Sequence, residues 1–347
     1  MRSPPPDLVP QQLEAVLAEG WGLRPASLEY LPVGAGSHHW TLTDGDGQRH
    51  FVTVDDLDNK DWIGGSSEKV RDGLGRAYRT AVALRDKAGL QFVMAPVAAR
   101  DGEPLRRVDD RYTASVFPFL AGRSHGFGPF ADARLRDSVL DMICALHQST
   151  PIVRDCAPRH ALRFAGREDL HAFLASPRQT WESGPFAEAA RSLLAPHAAD
   201  LAQLVMDFDR LVESTRRVRA HVVITHGEPH PANVMAVDGR LLLIDWDTVG
   251  LGPPERDVAL IITATNDGIE RYQQATGIEL SPAVITLYRL RWYLDDLASA
   301  IRMFRNAHRD TPDTRHWRDS LSGHLEQLPK WADSLGKTEE ARGVSPS

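Results

Sequence analysis

The chain has 347 residues, 42% hydrophobic and 25% charged, an ordinary globular composition with enough apolar material for two cores. Its formal net charge of -7 argues against non-specific nucleic-acid binding, which needs a basic face, and suits a neutral or cationic small molecule. No run approaches the roughly 18 consecutive apolar residues of a membrane span and the Pro-rich opening has no apolar leader segment, so no membrane partner and a cytoplasmic location are expected.

In chain order, Leu8, Leu13, Val16 and Leu17 form a helical stripe ending near Gly20. Segments 28–33, 39–43 and 50–54 alternate or carry β-formers. Asp44-Gly45-Asp46-Gly47 between the last two is a strong hairpin signal. A helix is predicted over 68–88, closed by Gly89, then strands over 92–97 and 112–117. From about residue 119 the pattern turns helical: 131–148, 167–175, 185–217, 255–275, 281–306 and 314–334, with a mobile tail from 336. The helices are interrupted by a β-branched strand at 222–225 and by a hairpin, 234–237 and 241–244, turned by Asp238-Gly239. Cys144 and Cys156 are too few for a disulfide framework and are read as structural thiols.

The informative stretch is 222–257. An apolar strand delivers a polar loop, a hairpin leaves it, and Asp245-Trp246-Asp247 follows the hairpin. Glu228, Asn233 and Asp245 can thereby converge on one point. Phosphoryl transfer needs such a point, because its loose transition state is stabilised by positioning and by neutralisation of phosphate charge. The amide oxygen of Asn233 and the carboxylate of Asp245 are hard ligands suited to Mg²⁺. Glu228 is placed to take the proton of an attacking hydroxyl.

These residues resemble the catalytic and metal-binding loops of the aminoglycoside phosphotransferase and choline-kinase-like family. Its usual pattern is His-Gly-Asp-x-x-x-x-Asn followed by Ile-Asp-Trp/Phe-Asp. Here the first reads His226-Gly227-Glu228-Pro229-His230-Pro231-Ala232-Asn233 and the second Ile244-Asp245-Trp246-Asp247. The resemblance implies an α+β, two-lobed, protein-kinase-like fold, with an antiparallel nucleotide-binding lobe over 1–118, a mainly helical lobe over 119–335 and a tail over 336–347. It implies Glu228 as base, Asn233 and Asp245 as metal ligands, His226 as a structural brace, and ATP or GTP with Mg²⁺ as donor. Gly34, Gly36 and Ser37 fall at the turn over the phosphates, and Phe117 and Phe119 in the hinge 115–120. Antibiotic-inactivating members, such as those acting on spectinomycin, viomycin, capreomycin or capuramycin, look closest in style.

Two departures stand out. Glu228 replaces the usual Asp, and Thr53 occupies the third-strand position where the family carries a phosphate-pairing Lys. The following helix offers only Glu68, near its start. Lys60 and Lys69 are the candidate replacement cations. Asp257 is read as a structural helix-start cap, Asp247 as an acceptor contact, a second metal contact or a loop brace, and Trp292, Asp295 and Asp296 as acceptor contacts, with a solvated helix face as the other reading of the two aspartates. The expected activity is phosphorylation of an antibiotic hydroxyl by a monomer or homodimer. The rivals are a housekeeping kinase for an amino alcohol or sugar, a non-catalytic nucleotide-binding module, and a metalloenzyme using His226, Glu228 and His230.

Overall fold

A computed structural model describes residues 1–60, 62–216, 221–262, 267–331 and 335. The expected tail lies outside them, as do parts of the helices expected over 255–275 and 314–334. Contacts divide the chain into two compact units, Met1–His160 with Ala220–Leu280, and Ala161–Arg219 with Ser281–Ser347.

The first unit opens with helix α1 (Pro10–Trp21), strands β1 (Pro25–Leu31), β2 (Ser37–Asp44) and β3 (Arg49–Asp56), and helix α2 (Ser67–Asp86). Strands β4 (Arg106–Arg107) and β5 (Tyr112–Pro118) complete an antiparallel sheet of order β1-β2-β3-β5-β4. The β2–β3 turn closes on itself: the Asp44 carboxylate accepts the amides of Asp46 at 3.0 Å and Gln48 at 2.9 Å, and Gly47 supplies φ 78°. Period-two alternation gives the sheet two unlike faces. Trp40, Leu42, Val52, Val54, Ala114 and Val116 pack on Leu13 and Leu17 of α1. The opposite face carries the cross-strand rows Ser37, Asp55, Thr113 and His39, Thr53, Ser115.

One expected strand is absent. Residues 92–97 make only a single bridge, Val93 to Leu243, and a few backbone bonds, among them Val97 N–H to Val116 O at 2.7 Å. A short apolar run fits a buried extended segment as well as a strand. The edge strand is instead Arg106–Arg107, whose sequence carries no β signature.

The same unit continues through β6 (Arg123–Ser124), α3 (Ala133–Gln148), α4 (Thr150–Val153), β7 (Val223–Thr225), β8 (Val234–Val237), β9 (Arg240–Leu243), β10 (Gly250–Gly252), α8 (Glu255–Ile261) and α9 (Ile269–Thr276). Strands β6, β8 and β9 form one small antiparallel sheet, and β10 and β7 another. Asp238 and Gly239 both take positive φ, 47° and 75°, the backbone of a primed hairpin turn.

The second unit is helical: α5 (Arg167–Ala175), α6 (Ala187–Leu194), α7 (Ala198–Arg216), α10 (Pro282–Arg305) and α11 (Pro312–Leu325). The helix expected over 185–217 is divided by a 3₁₀ turn at Ala195–His197 that holds Pro196, whose ring and missing N–H break the ladder. Leu287, Leu290, Leu294, Leu297 and Ile301 of α10 form the spine of its core. A Leu side chain removed from water at such a position contributes about 1.5–3 kcal/mol.

Candidate active site

The loop after β7 is held from beneath by Asp257. This residue is fully buried, and its carboxylate accepts the backbone amides of His226 at 2.8 Å and Gly227 at 2.7 Å and faces His147 Nε2 at 3.0 Å. His147 in turn meets the Tyr272 hydroxyl at 2.7 Å. Asp257 therefore does not cap its own helix, as its position suggested; it fastens the loop that carries Glu228. Burial alone would raise its pKa, but the His147 bond and the charges of Arg256 and His226 outweigh it and hold the carboxyl below its usual value.

His226 is wholly buried. Its Nε2 lies 3.0 Å from the Ile244 carbonyl, its Nδ1 accepts the Glu228 amide at 3.2 Å, and its ring stands edge-on to Trp246. Both ring nitrogens are thus engaged within the loop, which leaves no room for a metal held by His226, Glu228 and His230. Gly227 adopts φ 105°, and a Cβ there would run into the Arg256 guanidinium. Backbone curvature of this kind requires glycine.

Asn233 closes a 3₁₀ turn, Pro231–Asn233, and its side-chain amide donates to the Glu228 carbonyl at 3.0 Å. Its own carbonyl accepts the Ile244 amide at 3.0 Å, which joins the loop to the residue preceding Asp245. Asp245 has φ 66°, a left-handed conformation uncommon for a non-glycine residue and concentrated at functional sites. Asp247 and Glu228 are the two carboxylates whose charge acts on Asp245 most strongly. Glu228, Asn233 and Asp245 are therefore neighbours in space.

Asp245 is open to solvent on one side and crowded by protein on the other. That crowding, then repulsion from Asp247 and Glu228, raises its pKa well above the ordinary carboxylate value, with Lys60 acting the other way. The like charges settle the direction, because the open side keeps part of its hydration. A surplus of negative charge on hard oxygen donors fits a divalent cation. Among the described residues no group of three or more His, Cys, Asp or Glu could hold a metal alone. The side-chain oxygens of Asn233 and Asp245 are the groups here that could hold such an ion, and Mg²⁺ is commonly held by only one or two protein ligands.

Asp247 points inward: its Oδ2 lies 2.6 Å from Lys60 Nζ. Lys60, 1% exposed, also lies 3.1 Å from Asp55 Oδ1. Asp55 accepts from Ser37 Oγ at 2.7 Å and from the Tyr78 hydroxyl of α2 at 3.4 Å. Sequence reasoning missed Asp55 and Tyr78, although period two puts Asp55 on the same face as Thr53. Thr53 itself is buried, its hydroxyl 3.2 Å from His39 Nδ1. Gly34 and Gly36 have φ 70° and 101° in the turn leading to Ser37. Phe117 meets Tyr78 edge-on, and the Arg49 guanidinium lies 3.6 Å above the Phe119 ring.

The acceptor candidates of the second unit are engaged within it. Asp295 accepts the Ala165 amide at 2.5 Å and pairs with Arg291 at 3.0 Å, while Asp296 lies 3.4 Å from His324 Nε2. Trp292, from the same helix, is partly exposed.

Comparison with known proteins follows the same lines. Protein StrN of Streptomyces griseus is 26% identical over 248 residues, 70% of this chain and 74% of that protein. The crystal structure of spectinomycin phosphotransferase, APH(9)-Ia, in complex with ADP and spectinomycin superposes with a TM-score of 0.64 at 15% identity, covering 94% of each chain. A microcompartment-associated aminopropanol kinase superposes with a TM-score of 0.57 at 15% identity, covering 94% of this chain and 98% of its own. These likenesses establish the α+β kinase-like fold expected from the sequence. Residues 76–293, more than half of the chain, match the APH family model, described as the phosphotransferase enzyme family, and with the loop geometry above this establishes that the chain belongs to that family.

Proposed function

We propose that the chain is a small-molecule O-phosphotransferase that moves the γ-phosphoryl group of ATP or GTP to a hydroxyl of an antibiotic. The observation carrying this reading is the convergence of Glu228, Asn233 and Asp245 through the Asn233–Ile244 backbone bond and the left-handed turn at Asp245. The Glu228 side chain is 41% exposed, with its Oε2 3.9 Å from His230 Nε2. As the acceptor oxygen attacks the γ-phosphorus, Glu228 takes its proton. The new O–P bond forms as the bond from the γ-phosphorus to the β–γ bridging oxygen breaks. Nucleoside diphosphate leaves with the bonding pair, and the proton passes to solvent. Mg²⁺ held by Asn233 and Asp245 would supply neutralisation of the phosphate charge. Glu228 is one methylene longer than the Asp usual at this position, so either the acceptor oxygen lies farther from the loop or the side chain bends.

The antibiotic acceptor rests on similarity to spectinomycin phosphotransferase, and similarity of fold alone does not select a substrate. The likeness to an aminopropanol kinase supports a second reading, a metabolite kinase for an amino alcohol. The test is nucleoside diphosphate release with ATP and with GTP against a panel of aminocyclitol, peptide and nucleoside antibiotics and of amino alcohols, with mass spectrometry of the product for an added phosphate. Turnover with amino alcohols alone selects the second reading; no turnover with any acceptor, alongside intact nucleotide binding, overturns both.

Asp245→Asn suits the left-handed backbone and removes the charge. It is predicted to lower turnover on the order of 10²–10³-fold with an unchanged or higher melting temperature, since it relieves repulsion from Asp247. Unaltered turnover would contradict the metal role.

A further inference from the structure

The face of the sheet opposite α1 is polar, and cations are scarce on it. Strands β1, β2 and β5 contain no Lys or Arg, Arg107 of the edge strand β4, opposite Thr113, is paired with Asp110, and Arg49 of β3 is stacked on Phe119. Lys69 is exposed, as is Glu68 in the first turn of α2. The cation that reaches the carboxylates is Lys60, buried with its ammonium against Asp55 and Asp247. A buried ion pair adds little stability over an apolar packing of the same volume, so its presence calls for another reason.

The two carboxylates holding Lys60 differ. Asp55 is fixed: it is 0% exposed and tied to both Ser37 and Tyr78. Asp247 interacts with Asp245, so a divalent cation bound beside Asp245 gives Asp247 a second positive charge to serve. Once that cation arrives with its phosphates, Lys60 can leave Asp247 for a phosphate oxygen while Asp55 retains it.

Building on the phosphotransfer reading, we propose that Lys60 is the phosphate-binding cation of this chain, relocated seven residues beyond Thr53, with Asp55 as its positioning residue in place of a helix carboxylate. In the nucleotide-free protein Asp247 occupies the place of the phosphate. Strand β3 thus carries the carboxylate two residues after Thr53, and the short turn after it leads to the ammonium of Lys60.

The experiment compares binding of Mg·ADP and of adenosine to the full-length chain by calorimetry. Lys60→Met is expected to weaken Mg·ADP by roughly tenfold to a hundredfold, the loss of one charge-assisted contact, and to leave adenosine binding unchanged. Lys60→Arg should recover part of the affinity, and Thr53→Lys combined with Lys60→Met should recover more than Lys60→Met alone. Should Lys60→Met fail to fold, Lys60→Met with Asp55→Asn removes the buried charge and its fixed partner together, and is read the same way. Wild-type affinity for Mg·ADP in Lys60→Met, or in its Asp55→Asn double variant where that one is used, or an equal loss of adenosine and Mg·ADP, overturns the assignment. Failure of the wild-type chain to bind Mg·ADP at all overturns the phosphotransfer reading instead.

Discussion

His226 shows how one side chain serves the site by staying neutral. Burial, set against Asp257 and the Ile244 carbonyl, lowers its pKa to about 4. Unfolded, the same imidazole titrates near 6.5. Between these values the unfolded chain binds more protons than the folded one, so stability rises with pH. The contribution is complete above about 6.5 and disappears as pH falls towards 4, on the order of 3 kcal/mol. His230, lowered to about 4 mainly by burial, adds to the same window. We predict that the urea midpoint falls steeply between pH 6.5 and pH 4.5 and that His226→Gln flattens this slope. An unchanged slope in the variant would remove His226 from the account. The Nδ1 bond to the Glu228 amide also needs an unprotonated nitrogen, so the shape of the loop should be lost over the same interval.

At the scale of elements, the loop that carries Glu228 depends on how β7 hands over to it. Gly227 leaves the strand at φ 105° beside Arg256, whose guanidinium donates to Thr225 Oγ1 at 2.6 Å and to the Thr248 carbonyl at 2.8 Å. Gly227→Ala is predicted to cost about 2–3 kcal/mol, combining a backbone conformation that L side chains avoid with displacement of a buried guanidinium. Equilibrium urea unfolding measures this directly; a loss under about 0.5 kcal/mol would show that the loop tolerates a different path. Elements with local signals were legible in the sequence: the Asp44–Gly47 and Asp238-Gly239 turns, the 3.6-residue stripe of α10, and the β-branched run of β7. Arg106–Arg107 was not, because a two-residue edge strand is created by its partner Tyr112–Pro118 rather than by its own propensity.

Over the whole chain, the candidate site was legible where its parts are close in sequence. Glu228, Asn233 and Asp245 fall within one segment and were found together. The Lys60–Asp247 contact joins residues 187 positions apart, so the sequence showed only a lysine missing at Thr53. The three other lysines among the described residues, Lys69, Lys87 and Lys330, are exposed. Amine chemistry can therefore read the ion-paired one separately. Brief treatment of the nucleotide-free chain with an acylating reagent should modify those three and spare Lys60, since a desolvated ammonium clamped by two carboxylates has neither a free electron pair nor a path for the reagent. Peptide mass mapping that finds Lys60 acylated as fast as Lys87 would mean that the clamp opens on the timescale of labelling. A consequence reaches inhibitor chemistry: a covalent probe aimed at a lysine in this sheet would find its target masked at rest.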